Sequence, residues 1–269
     1  MKTKGALRSA TRTADETAQG LYWGYDGGNE IGVPPRLYNQ IARAWLARKF
    51  PSNAAKAVKL LAMVNAGMAD AGINAWYHKY QYNLWRPVVG IREASPSTGP
   101  GAMPGGDASK TATGNEGDPF WAPLGLPKTN EPGPGKLSIT PGFPAYPSGH
   151  ATFGAALFQI MQRFNGNPEM TVKNVLDAGA GAANAAGQEF DFVSDEMNGT
   201  AIDAEGSARM RHLRHFDSFA RATYENSVSR IFLGVHWRFD GLPRKATDAQ
   251  YGGVPLGLTV GTQTFVLLN

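Results

Sequence analysis

Phe143-Pro-Ala-Tyr-Pro-Ser148-Gly149-His150-Ala151-Thr-Phe-Gly-Ala-Ala-Leu-Phe158 is where a proline-rich run gives way to helical periodicity. Phe153, Leu157, Met161 and Phe164 recur at spacings of four, four and three, which traces one face of a helix. Pro147 closes the irregular run, and Ser148 stands where an N-cap residue belongs. Gly149 omits the Cβ that would block a close ligand, and the free N–H groups of a helix start favour an anion. His150 adds a titratable group on the first turn. Taken alone, a Ser-Gly pair before an apolar run is an ordinary helix cap.

Outward from this stretch, helical pattern dominates. Residues 1–14 are polar and read as a mobile tail. A helix is expected from near Asp15 through Leu21-Tyr-Trp, broken by Asp26-Gly-Gly-Asn. Pro34-Pro35 opens a second, with Leu37, Ile41, Trp45 and Leu46 as its stripe. Pro51-Ser52 precedes the longest helical stretch, which runs to Trp85 with a break near Gly72. Pro87 disfavours helix at Arg86. Residues 93–147 are rich in Gly, Pro, Ser, Thr and Asn, far longer than an ordinary connection. They read as a loop that walls a site from Asp118 to Pro147 and is mobile from Ser95 to Gly117. Met170–Gln188 reads as helix, Glu189–Ser207 as acidic and irregular, and Arg209–Phe239 as one or two helices. Leu256–Leu268 fits a strand or a terminal helix. The fold class is all-α, a helix bundle with long irregular loops, in a single domain over residues 1–269.

Composition narrows the chemistry. The 269 residues contain no cysteine, which excludes disulfides, zinc-thiolate sites and thiol catalysis. The net charge of +4 is modest. The basic cluster Arg209–Arg221 lacks stacking aromatics, so no nucleic-acid surface is read there. His212 and His215 have no third ligand nearby and read as a solvated face. No apolar run reaches transmembrane length, and no secretory signal is visible after the basic start, so a soluble protein of undetermined compartment is expected.

Two further stretches change the weight of Ser148-Gly-His. Lys79-Tyr-Gln-Tyr-Asn-Leu-Trp-Arg86-Pro87 carries two cations seven residues apart, on one helical face at about 10 Å. Ser229-Arg230-Ile-Phe-Leu-Gly234-Val-His236-Trp-Arg-Phe-Asp240 carries a third, with Gly234 able to end a helix so that His236 turns inward. Asp240, four residues after His236, can take the Nδ1 proton and leave Nε2 as nucleophile or ligand. Three cations, a helix N-terminus and two histidines suit a tetrahedral oxyanion. The central atom is either phosphorus, as a phosphohistidine, or vanadium, as vanadate. Spacing alone does not choose between them.

Lys-x6-Arg-Pro, Pro-Ser-Gly-His and Ser-Arg-x3-Gly-x-His, in that order, resemble the signature shared by vanadium haloperoxidases and type 2 phosphatidic acid phosphatases. Tyr25-Asp-Gly27, Pro34-Pro-Arg-Leu-Tyr-Asn-Gln40, Asp118-Pro-Phe-Trp121, Arg214-His-Phe-Asp-Ser218 and Gly252-Gly-Val-Pro-Leu-Gly257 extend the likeness towards the chloroperoxidases. The resemblance implies vanadate held through His236 and surrounded by Lys79, Arg86, Ser148, Gly149 and Arg230, with no haem and no flavin. It implies His150 as acid-base residue, Lys79 as the group that polarises peroxide, and Asp26 as the partner of Arg230. Trp76 and Phe143 fall at halide-pocket positions, Phe143 leaning towards chloride. The implied activity is oxidation of halide by hydrogen peroxide to hypohalous acid, the product reaching an organic acceptor, with phosphate as competitor. Resembling enzymes contain two helix bundles and this chain corresponds to the second, so a homodimer replacing the other bundle is one expectation. Two alternatives stand beside it: an acid phosphatase working through a phosphohistidine at the same site, and a non-enzymatic oxyanion-binding remnant.

Overall fold

Helix α5 (Gly149–Phe164) runs through the centre of the molecule, buried at every position from Gly149 to Gln162. A helix enclosed on all sides must be apolar or small all round, and Ala151, Gly154, Ala155, Ala156 and Ile160 meet that need. The computed structural model describes residues 1–93, 117–133, 140–182 and 187–269. Four helices enclose α5: α2 (Pro34–Lys49), α3 (Ala54–Tyr82), α7 (Phe219–Phe232) and α9 (Gly253–Leu268). The closest approach is with α9, whose Gly253, Gly257 and Gly261 lie against α5. A Cβ added at Gly257 would sit 2.2 Å from the Thr152 carbonyl oxygen. The core joins Trp45, Phe158, Phe190, Phe216 and Phe219 by ring contacts. No helix among the described residues is long and apolar enough to cross a membrane.

The remaining elements depart from expectation in instructive ways. Helix α1 (Ala14–Tyr22) starts within a residue of the expected Asp15, at a Thr13 capping box. Residues 1–12, read as a mobile tail, are instead tied down. Leu124 N donates to Gly5 O, Leu7 N to Ala122 O and Trp121 Nε1 to Lys2 O, at 2.8–2.9 Å. Helix α3 passes Gly72 without a break, because that glycine makes room for the Phe153 ring. It ends at Tyr82, not Trp85, with Asn83 in the left-handed region (φ 46°). Short helices α4 (Pro87–Arg92), α6 (Val172–Gly179) and α8 (Arg238–Gly241) follow in chain order. The helix expected over Met170–Gln188 is thus only α6, and residues 183–186 lie outside the described set. The irregular 189–207 and helical 209–239 readings missed a hairpin: β1 (Phe190–Val193) pairs antiparallel with β2 (Leu213–Phe216), Phe190 opposite Phe216. Four-residue strands offer too little alternation to stand out. The C-terminal segment is a helix, α9. Residues 94–116 lie outside the described residues, and with them the mobile stretch expected there.

Candidate active site

The site is assembled from element ends. Arg86 is the N-cap residue of α4, Ser148 that of α5, Arg230 lies in the last turn of α7, and His236 precedes α8. Lys79 and Arg86 therefore do not share one helical face, as their spacing predicted. The left-handed Asn83 turns the chain between them. Gly234 does end α7 in the manner its position suggested, at φ 74°. A cavity of about 390 Å³ is lined by Asp26, Trp76, Arg86, Phe143, Gly149, His150, Arg230 and His236, among others. Lys79, Ser148 and Asp240 stand behind its wall rather than in it.

His236 is fixed from one side by Asp240. Its Nδ1 lies 2.9 Å from Asp240 Oδ2, and the same oxygen accepts the Trp237 backbone N–H at 2.9 Å. Nδ1 therefore carries the proton and Nε2 the lone pair. Arg86 Nη1 approaches that Nε2 at 2.9 Å. Arg86 also donates from Nε to Phe143 O and from Nη1 to Val235 O. Arg230 forks onto both oxygens of Asp26 at 2.9 Å. Three guanidinium donors, Arg86 Nη2, Arg230 Nε and Arg230 Nη1, are buried without a protein partner. Both side chains line the cavity, so a small oxyanion there would meet donors that no protein group satisfies.

Lys79 is fully buried, its Nζ donating to the Pro144, Ala145 and Pro147 carbonyls at 3.0, 3.0 and 2.6 Å. Three acceptors match the three protons of an ammonium. Burial, then the Arg86 guanidinium, push its pKa down to about 6. Burial raises Asp240 to about 7, and Asp26 rises for the same reason despite Arg230. Desolvation, then Arg230, keeps His150 well below its ordinary value; desolvation, then Arg86, does the same for His236. His150 Nε2 meets Gly24 O at 2.6 Å, which places its proton there and leaves Nδ1 basic. Gly149 packs so closely on Trp76 that a Cβ would lie 3.0 Å from that ring. Its glycine is thus explained by the α5–α3 contact. Trp76 and Phe143 touch at 5.1 Å between ring centres, forming the apolar wall. The Phe143 ring stacks near both Lys79 and Arg86.

Sequence reasoning missed three supporting residues. Tyr38 and Asn226 both donate to the His150 carbonyl, at 2.9 and 2.8 Å, anchoring the first turn of α5. Glu196, buried between Thr129 and Arg209, accepts the Tyr25 N–H at 2.8 Å. It holds the Gly24–Asp26 turn that in turn holds His150 and Arg230. Tyr25 sits there at φ 48°, a conformation rare for a non-glycine residue. No local pattern marks these residues, since each acts across 76 or more positions.

Residues 59–264 match the family profile described as the vanadium chloroperoxidase (VCPO) second helical-bundle domain. The chain is 39% identical over 250 residues to a vanadium chloroperoxidase of Curvularia inaequalis, across 87% of this chain and 38% of that protein. It thus spans well under half the length of that relative. Among solved structures, a bacterial vanadium-dependent iodoperoxidase superposes with a TM-score of 0.58 at 22% identity, covering 96% of this chain and 44% of that one. The holo form of a bacterial vanadium-dependent chloroperoxidase gives 0.56 at 14% identity, covering 96% and 45%. At these identities the superpositions speak for the fold alone.

Proposed function

This chain belongs to the vanadium chloroperoxidase family through its second helical bundle, and from that we propose that it is a vanadium-dependent haloperoxidase. In this reading it oxidises bromide and chloride with hydrogen peroxide to hypohalous acid, which passes to an organic acceptor. The observation that carries the reading is that His236 and two arginines, with three partnerless guanidinium donors between them, line one cavity with an aromatic wall. Vanadate fits such a set, and when bound it supplies Lewis acidity towards peroxide.

Each residue has a proposed task. His236 holds the vanadium atom through Nε2, kept unprotonated by the Asp240 contact on Nδ1. Arg86, Arg230 and the N-terminal Gly149 of α5 neutralise the oxygens, with Ser148 capping that helix from behind the wall. Lys79, its Nζ held by three carbonyls behind the wall, adds positive charge once a bound anion favours its protonated form. Asp26 fixes the Arg230 fork. His150, neutral and basic at Nδ1, takes the peroxide proton. Trp76 and Phe143 give the halide a dry wall.

The test is bromination of a phenolic dye by purified protein with peroxide and bromide, with and without orthovanadate, then with excess phosphate. Vanadate-dependent turnover suppressed by phosphate supports the reading, and chloride is then tried. His236→Ala should abolish vanadate binding and turnover together, whereas His150→Ala should keep most binding and lose at least about 100-fold in rate. Peroxidase activity that survived His236→Ala would overturn the assignment. The partnerless arginine donors equally suit phosphate, which favours phosphatase action through His236 as the second reading. Phosphate-ester hydrolysis inhibited by vanadate, without halide oxidation, would establish that instead. Oxyanion binding without either turnover would leave the protein a binding remnant.

A further inference from the structure

Behind the wall that carries His236 and Lys79 lies a second cavity, of about 750 Å³, which shares no lining residue with the one in front. Tyr82 and Leu84 line it from the turn between Lys79 and Arg86. Tyr146 lines it from between the Ala145 and Pro147 carbonyls that hold Lys79, and Trp237, Arg238 and Phe239 from between His236 and Asp240. Tyr82, Tyr146, Trp237, Phe239 and Tyr251 make its wall aromatic. Tyr82 meets Tyr146 edge-on at 5.2 Å, Tyr146 meets Phe239 at 6.2 Å, and Trp237 lies parallel to Phe239 at 6.5 Å. Tyr82, Phe239 and Tyr251 are 49–62% exposed, so large rings face water across a concave surface. Arg238 and Arg244 line the same cavity, and among the described residues neither guanidinium has a hydrogen-bond or ion-pair partner. Asp248, which accepts from Thr247 Oγ1, is the single carboxylate among the lining residues described.

We propose that this rear cavity is a binding site for a small aromatic anion, a planar ring system bearing one carboxylate. The ring lies against the wall of Tyr82, Tyr146, Trp237 and Phe239, and the carboxylate meets Arg238 and Arg244. Scattered rings and exposed arginines are each ordinary surface features. Here they surround one concavity of the size that holds small ligands. Stretches 82–84, 146, 237–244 and 248–251 enclose it, so it is not a strip along a single element. A neutral arene would leave both guanidiniums unmatched, and an anion without a ring would leave the aromatic wall wet. Asp248 opposes the anion, but the guanidiniums outnumber it two to one. The assignment does not depend on what the front cavity holds.

The test uses 2-naphthoate as probe, with 2-naphthylmethanol (ring without charge) and acetate (charge without ring) beside it. Titration calorimetry should give a Kd of about 0.1 mM for naphthoate and at least about tenfold weaker binding for each comparator. Arg238→Gln with Arg244→Gln should weaken naphthoate about tenfold and leave naphthylmethanol within about twofold. Tyr251→Ala, an exposed change, should weaken both ring compounds. The front cavity also offers rings and arginines, so the two places must be told apart. Phe143→Ala, and sulfate added at constant ionic strength, should both leave naphthoate affinity as it was. Displacement by sulfate, or loss of affinity in Phe143→Ala, would put the probe in front and overturn the proposal. So would absence of binding, or equal binding of naphthoate and naphthylmethanol. An affinity indifferent to the two arginine changes would overturn it as well.

Discussion

At the residue scale, the cations around the cavity are there at the cost of their own hydration. Lys79 illustrates this: its pKa falls to about 6 because it is buried beside Arg86. A bound anion favours the charged form, so binding should take up a proton above that pKa. Sulfate keeps its charge across neutral pH and isolates the effect. Its affinity should fall as pH rises from about 6 to 8, and titration calorimetry in two buffers should show proton uptake. Lys79→Met should remove most of that dependence. Glu196 offers a second test. Burial raises its carboxyl to about 7, above its unfolded value. Its contribution to stability is therefore fully present below about pH 4.5 and lost as pH rises through about 7. Glu196→Gln, which keeps the acceptor for Tyr25, should flatten stability between those values in urea titrations. Glu196→Ala should cost about 2 kcal/mol by freeing the buried Tyr25 N–H. If the proposed haloperoxidase activity holds, this positioning variant should lower kcat more than it raises the peroxide KM, whereas the glutamine variant restores kcat. The grouping of His236, Asp240, Arg86 and His150 was legible in the sequence because their motifs are short and dense in titratable side chains. Glu196 was not, because a lone glutamate in an irregular acidic stretch has no local mark of burial.

At the scale of elements, the α5–α9 contact decides how closely the bundle can pack. Alanine is a better helix former than glycine by about 1 kcal/mol, so Gly→Ala at an indifferent helix position stabilises. At Gly257 the sign should reverse. The added Cβ lies 2.2 Å from Thr152 O and 2.7 Å from the Ala155 Cβ. Gly257→Ala should lose about 1–3 kcal/mol of unfolding free energy. Gly142→Ala, where nothing lies within 4 Å, should change stability little. The helices themselves were legible wherever a cap or a long periodic stripe marked them, as at Pro34 and Ser148. The end of α3 was not, since Asn83 sits in a left-handed conformation inside an otherwise helical sequence. The hairpin of β1 and β2 escaped as well: Phe-Asp-Phe-Val and Leu-Arg-His-Phe are too brief to separate period two from period 3.6.

At the scale of the whole molecule, the first residues tie distant parts together. Gly5 meets Gly234, where a Cβ on Gly5 would lie 2.6 Å from the Gly234 Cα. The neighbouring Gly125 N donates to Leu233 O, joining the loop that carries cavity-lining Leu126 to the end of α7. Deleting residues 1–8 should lower the thermal midpoint by about 5 °C or more and weaken oxyanion binding. The sequence showed a polar start and nothing of this docking, which depends on glycines made close only by the fold. The same long reach governs how the protein comes into being. Asp26 and Arg230 are separated by 204 positions, His150 and Gly24 by 126, Arg86 and Val235 by 149. Loops of that length close only after much chain entropy has been lost, so the cavity forms late on the folding route. An oxyanion then has nothing to bind in the transition state. Sulfate or vanadate should slow unfolding and leave the refolding rate as it was, prolonging the life of the folded chain without hastening its birth.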